Sequence, residues 1–458
     1  MSIETQEMRD PQAGKRAFAT PRSTLRGRAV AAAWAVAASL APPALRALLA
    51  WRVRIGKEDP DRLDERRGLG TPPPETWHRA ARRVWLHAAS VGETVSVLPV
   101  IERLLSREDV AVLVTTGTLS SAAILEARAP LPLGGRLSHR FAPHDTPRAV
   151  ARLLDRWRPD VAGFVDSEIW PNTLAALARR SIPALMINAR LSARSGARWQ
   201  SAARLLGGTP FGLITAVLAR SAEDSARIAA LGGPEAVMVG DLKQAAPALP
   251  ADPAALAALR AEIGKRPVWL AASTHPGEEA AIARVHARLA PHHPGLLTLI
   301  APRHPDRGAA IAAELGGVRR RSAREALPER AGLYLWDTLG ELGMLYRAAR
   351  VVFVGHSLLG QGGGHNPYEP ARCEAAVATG RLTGNFNDAV RILEAAGALT
   401  VVADEAALAD WVAAMLADPM ARMRSAQAAA AIFSTGRDLP ERVAEALLAQ
   451  AVPVRTPA

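Results

Sequence analysis

The sequence predicts two doubly wound α/β domains facing across a cleft, preceded by a short basic segment. Three observations carry this. The chain has 458 residues, too many for one ordinary hydrophobic core and suited to two domains. Beyond residue 57, short apolar runs alternate with amphipathic stretches, the rhythm of a parallel sheet with crossover helices. A Pro- and Ala-rich run at residues 245–253 then interrupts the rhythm, which restarts after it.

The basic segment comes first. Residues 1–57 hold ten Lys and Arg against three Asp and Glu, so they supply +7 of a formal net charge of +12. A basic end of this kind suits an anionic membrane surface; a solvated basic tail is the bland alternative. No RNA- or DNA-binding signature accompanies the charge, so no nucleic-acid partner is expected. Residues 29–45 are uncharged, Ala-rich and broken by Pro42 and Pro43, and residues 47–51 add an apolar patch between Arg46 and Arg52. A spanning helix wants ~20 strongly apolar residues. The stretch is short and mildly apolar, so it reads as a short membrane anchor lying in the interface. A signal peptide competes with that reading, but the long basic region and the paired prolines weigh against it.

In the first half, strands are predicted at residues 84–87, 111–115, 161–165, 184–188 and 214–219, with helices at 94–105 and 173–180 between them. In the second half, strands are predicted at 268–272, 296–300, 333–336, 351–354 and 376–378. Ligands of such folds bind beyond the carboxyl ends of the strands. The single cysteine, Cys373, excludes an internal disulfide framework and a Cys-based zinc site. There is no Walker A loop, no G-x-G-x-x-G fingerprint and no G-x-S-x-G elbow, and no His, Asp or Glu spacing matches a metal site, so no metal is expected.

The chemistry-bearing residues cluster at predicted strand ends. His87-Ala-Ala-Ser90-Val-Gly92-Glu93-Thr94 follows a strand and opens a helix. A helix N-terminus stabilises an ionised carboxylate, and Glu93 can serve as a general base; taken alone, the helix cap is the favoured reading. Asp166-Ser-Glu168-Ile-Trp-Pro-Asn172 and Asn188-Ala-Arg190-Leu-Ser192 end two further strands, with Asn172 placed to cap the next helix. Gly240-Asp-Leu-Lys243 brings a lysine suited to a leaving phosphate. In the second half, Ser273-Thr274-His275 makes a strand-to-helix turn suited to phosphate, and Pro302-Arg303 offers a guanidinium fork. Asp337-Thr-Leu-Gly340-Glu341-Leu342 follows. The last run carries Gly360 and Gly362, Gly363 and Gly364 ahead of Asn366-Pro367-Tyr368-Glu369, a glycine density that lets backbone wrap a ligand.

Taken in order, HAASVGET, DSEIWPN, NARLS, GDLK, ASTHPGEE, APRHP, DTLGEL and GGGHNPYEPA resemble the 3-deoxy-D-manno-octulosonic acid (Kdo) transferases over residues 57–386. Glu65-Arg66-Arg67-Gly68 resembles a further family element. The resemblance implies the GT-B fold: a basic segment with the anchor at 1–57, an acceptor-binding domain at 58–245, a nucleotide-sugar-binding domain at 246–435, and a C-terminal helix and tail at 436–458 packing back toward the first domain. It implies an inverting transfer from CMP-Kdo to a lipid A precursor at the cytoplasmic face of the bacterial inner membrane, with no cofactor and no active-site metal. Glu93 is then the base, and Lys243 with Asp166 or Glu168 stabilises the transition state. Ser273, Thr274, His275, Pro302, Arg303, Gly340, Glu341, Leu342, Asn366, Pro367, Tyr368 and Glu369 are expected around the donor, and Ser90, Gly92, Asn188 and Arg190 on the acceptor side. The chain departs from the family at Asp166, where Glu is usual, at His356, which stands in a common Gly-Gly-Ser, at Asp241, where Asn is common, and at Arg381-Leu382, where Pro-His is expected. Nucleotide-sugar epimerases share the fold, and a non-catalytic membrane-bound nucleotide-sugar-binding protein is the third reading. The basic anchor and Glu93 speak against the epimerase. The retained Glu93, Lys243, Arg303 and Glu369 speak against a degenerate site.

Overall fold

Period-two patterning builds the first sheet. In β1 (Arg82–Ala88), Val84, Leu86 and Ala88 enter one buried cluster while Trp85 enters another on the opposite face. In β2 (Val110–Thr116), Val110, Val112 and Val114 divide from Ala111 and Leu113 in the same way. Both faces are therefore covered, as all-parallel sheets require. β3 (Leu137–Phe141), β4 (Val161–Val165), β5 (Ala184–Ala189), β6 (Ala216–Ala219) and β7 (Ala236–Met238) complete a seven-stranded parallel sheet of order β3-β2-β1-β4-β5-β6-β7. The computed structural model describes residues 34–36, 38–39, 42–384 and 386–451.

The chain divides into two units, Met1–Ala246 with Asp438–Ala458, and Pro247–Arg437. The second unit repeats the plan. β8 (Val268–Thr274), β9 (Leu297–Pro302), β10 (Gly332–Leu335), β11 (Val351–Val354), β12 (Ala376–Thr379) and β13 (Leu399–Val401) form a six-stranded parallel sheet of order β10-β9-β8-β11-β12-β13. Each sheet reverses its winding once, between β1 and β4 and between β8 and β11. That reversal opens a crevice at the carboxyl ends of those strands, where ligands of doubly wound folds bind. The linker run splits between the units: Ala245 packs on the first core, and Ala248, Leu249 and Ala251 on the second.

Helix Leu439–Gln450 belongs to the first unit. Its Val443, Ala444 and Leu447 share a core cluster with Val97, Val100 and Ile101 of helix Val91–Leu105. On the opposite face, Trp77 is fully buried, donates its indole N–H to the Trp157 carbonyl at 2.7 Å and meets the Trp157 ring edge-on at 5.0 Å. Removing so large a side chain leaves a cavity and an unfilled acceptor. Trp77→Ala is expected to cost ~3–5 kcal/mol, read as a lower denaturant midpoint of the first unit.

The N-terminal reading is only partly covered. Residues 29–33, 37, 40 and 41 of the expected anchor lie outside the described residues. Helix Pro42–Arg54 starts at the paired prolines, which suit a first helical turn. In the 47–51 patch Leu49 is buried while Leu48 and Trp51 are exposed, and Trp34, Val36 and Ile55 are exposed as well. Among the described residues, no helix is long and apolar enough to cross a membrane. The Glu65–Gly68 element ties this end to the sheet. Arg66 is buried, pairs with Glu58 at 3.0 Å and donates to the carbonyls of Gly117 and Ala142; Glu65 accepts the Phe141 amide at 2.6 Å.

Candidate functional site

The first crevice is built by three strand ends. Past β1, Ser90 caps helix Val91–Leu105. Its hydroxyl donates to Glu93 Oε1 at 2.8 Å, and the Ala89 amide donates to Glu93 Oε2 at 2.7 Å. Glu93 thus does hold the helix start, as the capping reading has it. It is also half-buried, and burial pushes its carboxyl above the usual range, with the charges of Asp166 and Glu168 adding to the rise against the Ser90 and Ala89 hydrogen bonds. A raised carboxyl suits proton transfer better than a plain surface glutamate. Gly92 beside it has open space where a side chain would stand.

Past β4, Asp166 turns the chain sharply with φ 58°, a left-handed conformation costing about 1 kcal/mol or more for a residue with a Cβ. Its carboxylate accepts from Asn188 Nδ2 at 2.7 Å and pairs with Lys243 Nζ at 3.1 Å. Asn188, at the end of β5 and also left-handed (φ 55°), accepts the Leu242 amide at 2.9 Å through its other amide atom. One fully buried side chain therefore fixes both the Asp166 carboxylate and the backbone that carries Lys243. Asn188, expected on the acceptor side, is a positioning residue. Arg190, two residues on, has no hydrogen-bond or ion-pair partner for its guanidinium among the described residues. Asp241 caps the turn Leu242–Gln244 by accepting the Lys243 amide, and burial pushes its carboxyl up.

Glu168 has different partners from Asp166. Its Oε2 accepts the Trp170 indole N–H at 2.8 Å and lies 3.7 Å from His87 Nε2. Burial pushes this carboxyl up, but the His87 ring and the Trp170 donor outweigh it, so it lies below its usual range. Of the two carboxylates left open by the sequence, Asp166 is the one joined to Lys243. Asn172 does not cap the next helix: helix Pro171–Arg179 starts before it, and Asp145 caps from outside, accepting the amides of Asn172 and Thr173 at 3.0 and 2.8 Å.

The second crevice, between β8 and β11, is organised by a residue whose role no local motif displays. Glu278 is almost wholly buried and accepts four backbone amides, those of His275 (3.0 Å), His356 (2.6 Å), Ser357 (3.0 Å) and Leu358 (3.1 Å). It joins the loops after β8 and β11. Ser273, at the irregular end of β8, and His356, just past β11, are left-handed non-glycine residues (φ 56° and 58°). Gly355 is required between them, since a Cβ there would stand 2.8 Å from the Ser273 carbonyl and 2.9 Å from Glu278 Oε2. Thr274, expected to face the donor, is fully buried and donates its hydroxyl to Glu279, which pairs with Arg307 at 3.0 Å.

The remaining donor candidates divide by exposure. Arg303 follows Pro302 at the end of β9, exposed and with no ion-pair partner among the described residues. Gly340 (φ 84°) has open space about it. Glu341 accepts from Thr338, from Trp336 at 2.9 Å and from Arg321 at 3.1 Å, just ahead of helix Leu342–Ala349. Burial raises its carboxyl, but those three donors hold it below the usual range. Pro367 and Tyr368 are buried, and the Tyr368 ring meets Phe433 edge-on, so they serve the core. Asn366 and Glu369 are half-buried, and the Asn366 amide lies 3.4 Å from Glu369 Oε1.

A further group emerges only in three dimensions. The rings of His275, His356 and His365 come together from the β8 and β11 loops, with His275 and His356 stacked at 3.8 Å. Burial holds the His275 and His365 imidazoles at about 4, with neighbouring histidines and arginines adding to the depression.

The family described as 3-deoxy-D-manno-octulosonic-acid transferase (kdotransferase) matches residues 61–246. The 3-deoxy-D-manno-octulosonic acid transferase of Haemophilus influenzae is 33% identical over 84% of this chain and 90% of its own. That of Bordetella pertussis is 34% identical over 83% and 89%. Among solved structures, the UDP-GlcNAc 2-epimerase of Neisseria meningitidis superposes with a TM-score of 0.55 at 15% identity over 80% of this chain and 99% of its own. A glycosyltransferase of Rickettsia africae superposes at 0.50 and 13% identity over 80% and 98%. At such identities these two show the fold alone, which is GT-B. The fold is thus shared with epimerases, whereas the sequence kinship runs to the transferases through both halves: the chain belongs to the 3-deoxy-D-manno-octulosonic acid transferase family and is a glycosyltransferase.

Proposed function

We propose that the chain transfers Kdo from CMP-Kdo to the 6′-hydroxyl of a lipid A precursor by a single inverting displacement. The observation that carries this reading is the first crevice: a carboxyl of raised proton affinity, Glu93, within electrostatic reach of a fixed Asp166–Lys243 pair. The acceptor hydroxyl oxygen attacks the anomeric carbon while the bond from that carbon to the phosphate oxygen breaks. The electron pair leaves with CMP, and the hydroxyl proton passes to Glu93. As the bond breaks, the sugar becomes oxocarbenium-like and the phosphate gains charge. A carboxylate stabilises the first and a cation the second, and such preorganised charges act most strongly in the transition state. Asp166 and Lys243 take these roles. Arg303, with Ser273, Gly340, Glu341, Leu342, Asn366 and Glu369 of the second unit, holds the CMP-sugar. No cofactor takes part.

The acceptor is a membrane lipid, and we assign the enzyme to the cytoplasmic face of the inner membrane. The exposed Trp34, Leu48, Trp51 and Ile55, set among Arg46, Arg52 and Arg54, supply the apolar and cationic groups that an anionic interface takes. The test is incubation with CMP-Kdo, generated in the assay, and a tetraacylated lipid A precursor. Kdo-lipid product linked at the 6′ position is expected. Inactivity with this pair, together with epimerisation or consumption of another nucleotide sugar, would leave the fold standing and remove the substrate assignment.

A further inference from the structure

The displacement leaves the ring nitrogens of three histidines unused. We infer that His275, His356 and His365 form a binding site for one divalent transition ion of the zinc class. This goes beyond the transfer reading and does not depend on it. One ring nitrogen from each residue lies within 4.8 Å of the others, and the Nε2 atoms of His275 and His365 are 3.1 Å apart. Nitrogens bound tetrahedrally at ~2.0–2.1 Å stand about 3.4 Å apart. One pair is thus already at ligand spacing. Stacked rings direct their in-plane lone pairs in parallel, so binding one ion requires His356 to tilt out of its 12° stack on His275.

The backbones that carry the ligands are held. Glu278 Oε2 accepts the amides of both His275 and His356, and the Gly364 amide, next to His365, donates to the His356 carbonyl at 2.7 Å. All three ligand-bearing segments are thus tied to one another before any ion arrives, which is the preorganisation a metal site needs. No carboxylate belongs to the cluster. An all-imidazole set selects zinc, nickel or copper and disfavours magnesium and calcium. Three ligands leave the ion an open position, which takes water or an anionic oxygen.

The test uses the untagged full chain, stripped of metal by a chelator and titrated with Zn²⁺ against a chromophoric competitor. One Zn²⁺ per chain is expected, uncompeted by millimolar Mg²⁺. Loss of a direct ligand should weaken binding by at least the ~10–100-fold that loss of an outer partner costs, so His356→Ala and His365→Ala should each do so while His304→Ala leaves it unchanged. Co²⁺ in the wild type should give the intense visible bands of a tetrahedral nitrogen site, a readout that needs no variant. Absence of stoichiometric Zn²⁺ binding, Co²⁺ spectra of a hexa-aqua ion, or equal affinity in folded His356→Ala and His365→Ala proteins would overturn the assignment.

Discussion

Glu93→Gln is expected to lower the transfer rate by ~10²–10⁴-fold, the range for removing a general base, while the first unit gains stability at neutral pH. The two effects share a cause. Burial raises the Glu93 carboxyl above its unfolded value, and Asp166 and Glu168 raise it further. A raised acid contributes stability that is fully present below its unfolded pKa and is lost as pH climbs through the folded one. At neutral pH the wild type therefore carries the cost of an ionised, half-buried carboxylate. Glutamine keeps an oxygen for the Ala89 amide and removes the charge. Thermal melting at pH 7 and steady-state transfer on the same preparations check both halves. The same shift sets a pH dependence: the base must be ionised, so the wild-type rate should rise with pH along a limb displaced upward from that of an ordinary glutamate. A limb at or below that of an ordinary glutamate, or full activity in Glu93→Gln, contradicts the assignment.

Glu278→Ala should be the most damaging substitution in the second unit. Four backbone amides lose their common acceptor. Each buried unsatisfied donor costs ~1–3 kcal/mol. Even with water replacing part of the loss, a destabilisation of about 3 kcal/mol or more is expected, confined to the second unit. Amide hydrogen exchange is the discriminating measurement. Protection should fall at residues 275 and 356–358 while β1 and β2 keep theirs. Because the loops carrying His275 and His356 part, donor binding should fail with it. Unchanged protection in those loops would show that the clamp does not hold them.

The sequence made the backbone plan legible wherever strands are long and buried on both faces. β1, β2, β4, β5, β8 and β9 are such runs. Three strands escaped it, for two reasons. β3 carries His139 and Arg140 inside the sheet; His139 is accommodated by Thr116 and Arg62, a partnership no local pattern displays. β7 and β13 are three-residue edge strands, half open to solvent. In the site, Glu93, Asp166 and Lys243 were legible as polar residues in short motifs at strand ends. The Asp166–Lys243 pair spans 77 residues and was not. Nor were the Glu278 clamp and the histidine cluster, whose members His275 and His365 stand 90 residues apart. Asn188 shows the converse: its motif was visible, but its burial between Asp166 and Leu242 makes it a support for the reacting groups.

The central claim is a single displacement driven by a base on the first unit, and the anomeric configuration of the product tests it most directly. Two-dimensional NMR of the Kdo–lipid product, set beside the CMP-Kdo supplied, reads that configuration. Inversion at the anomeric carbon is predicted. Retention would require a covalent or shielded intermediate, and it would contradict the role of Glu93 as the base of a direct displacement.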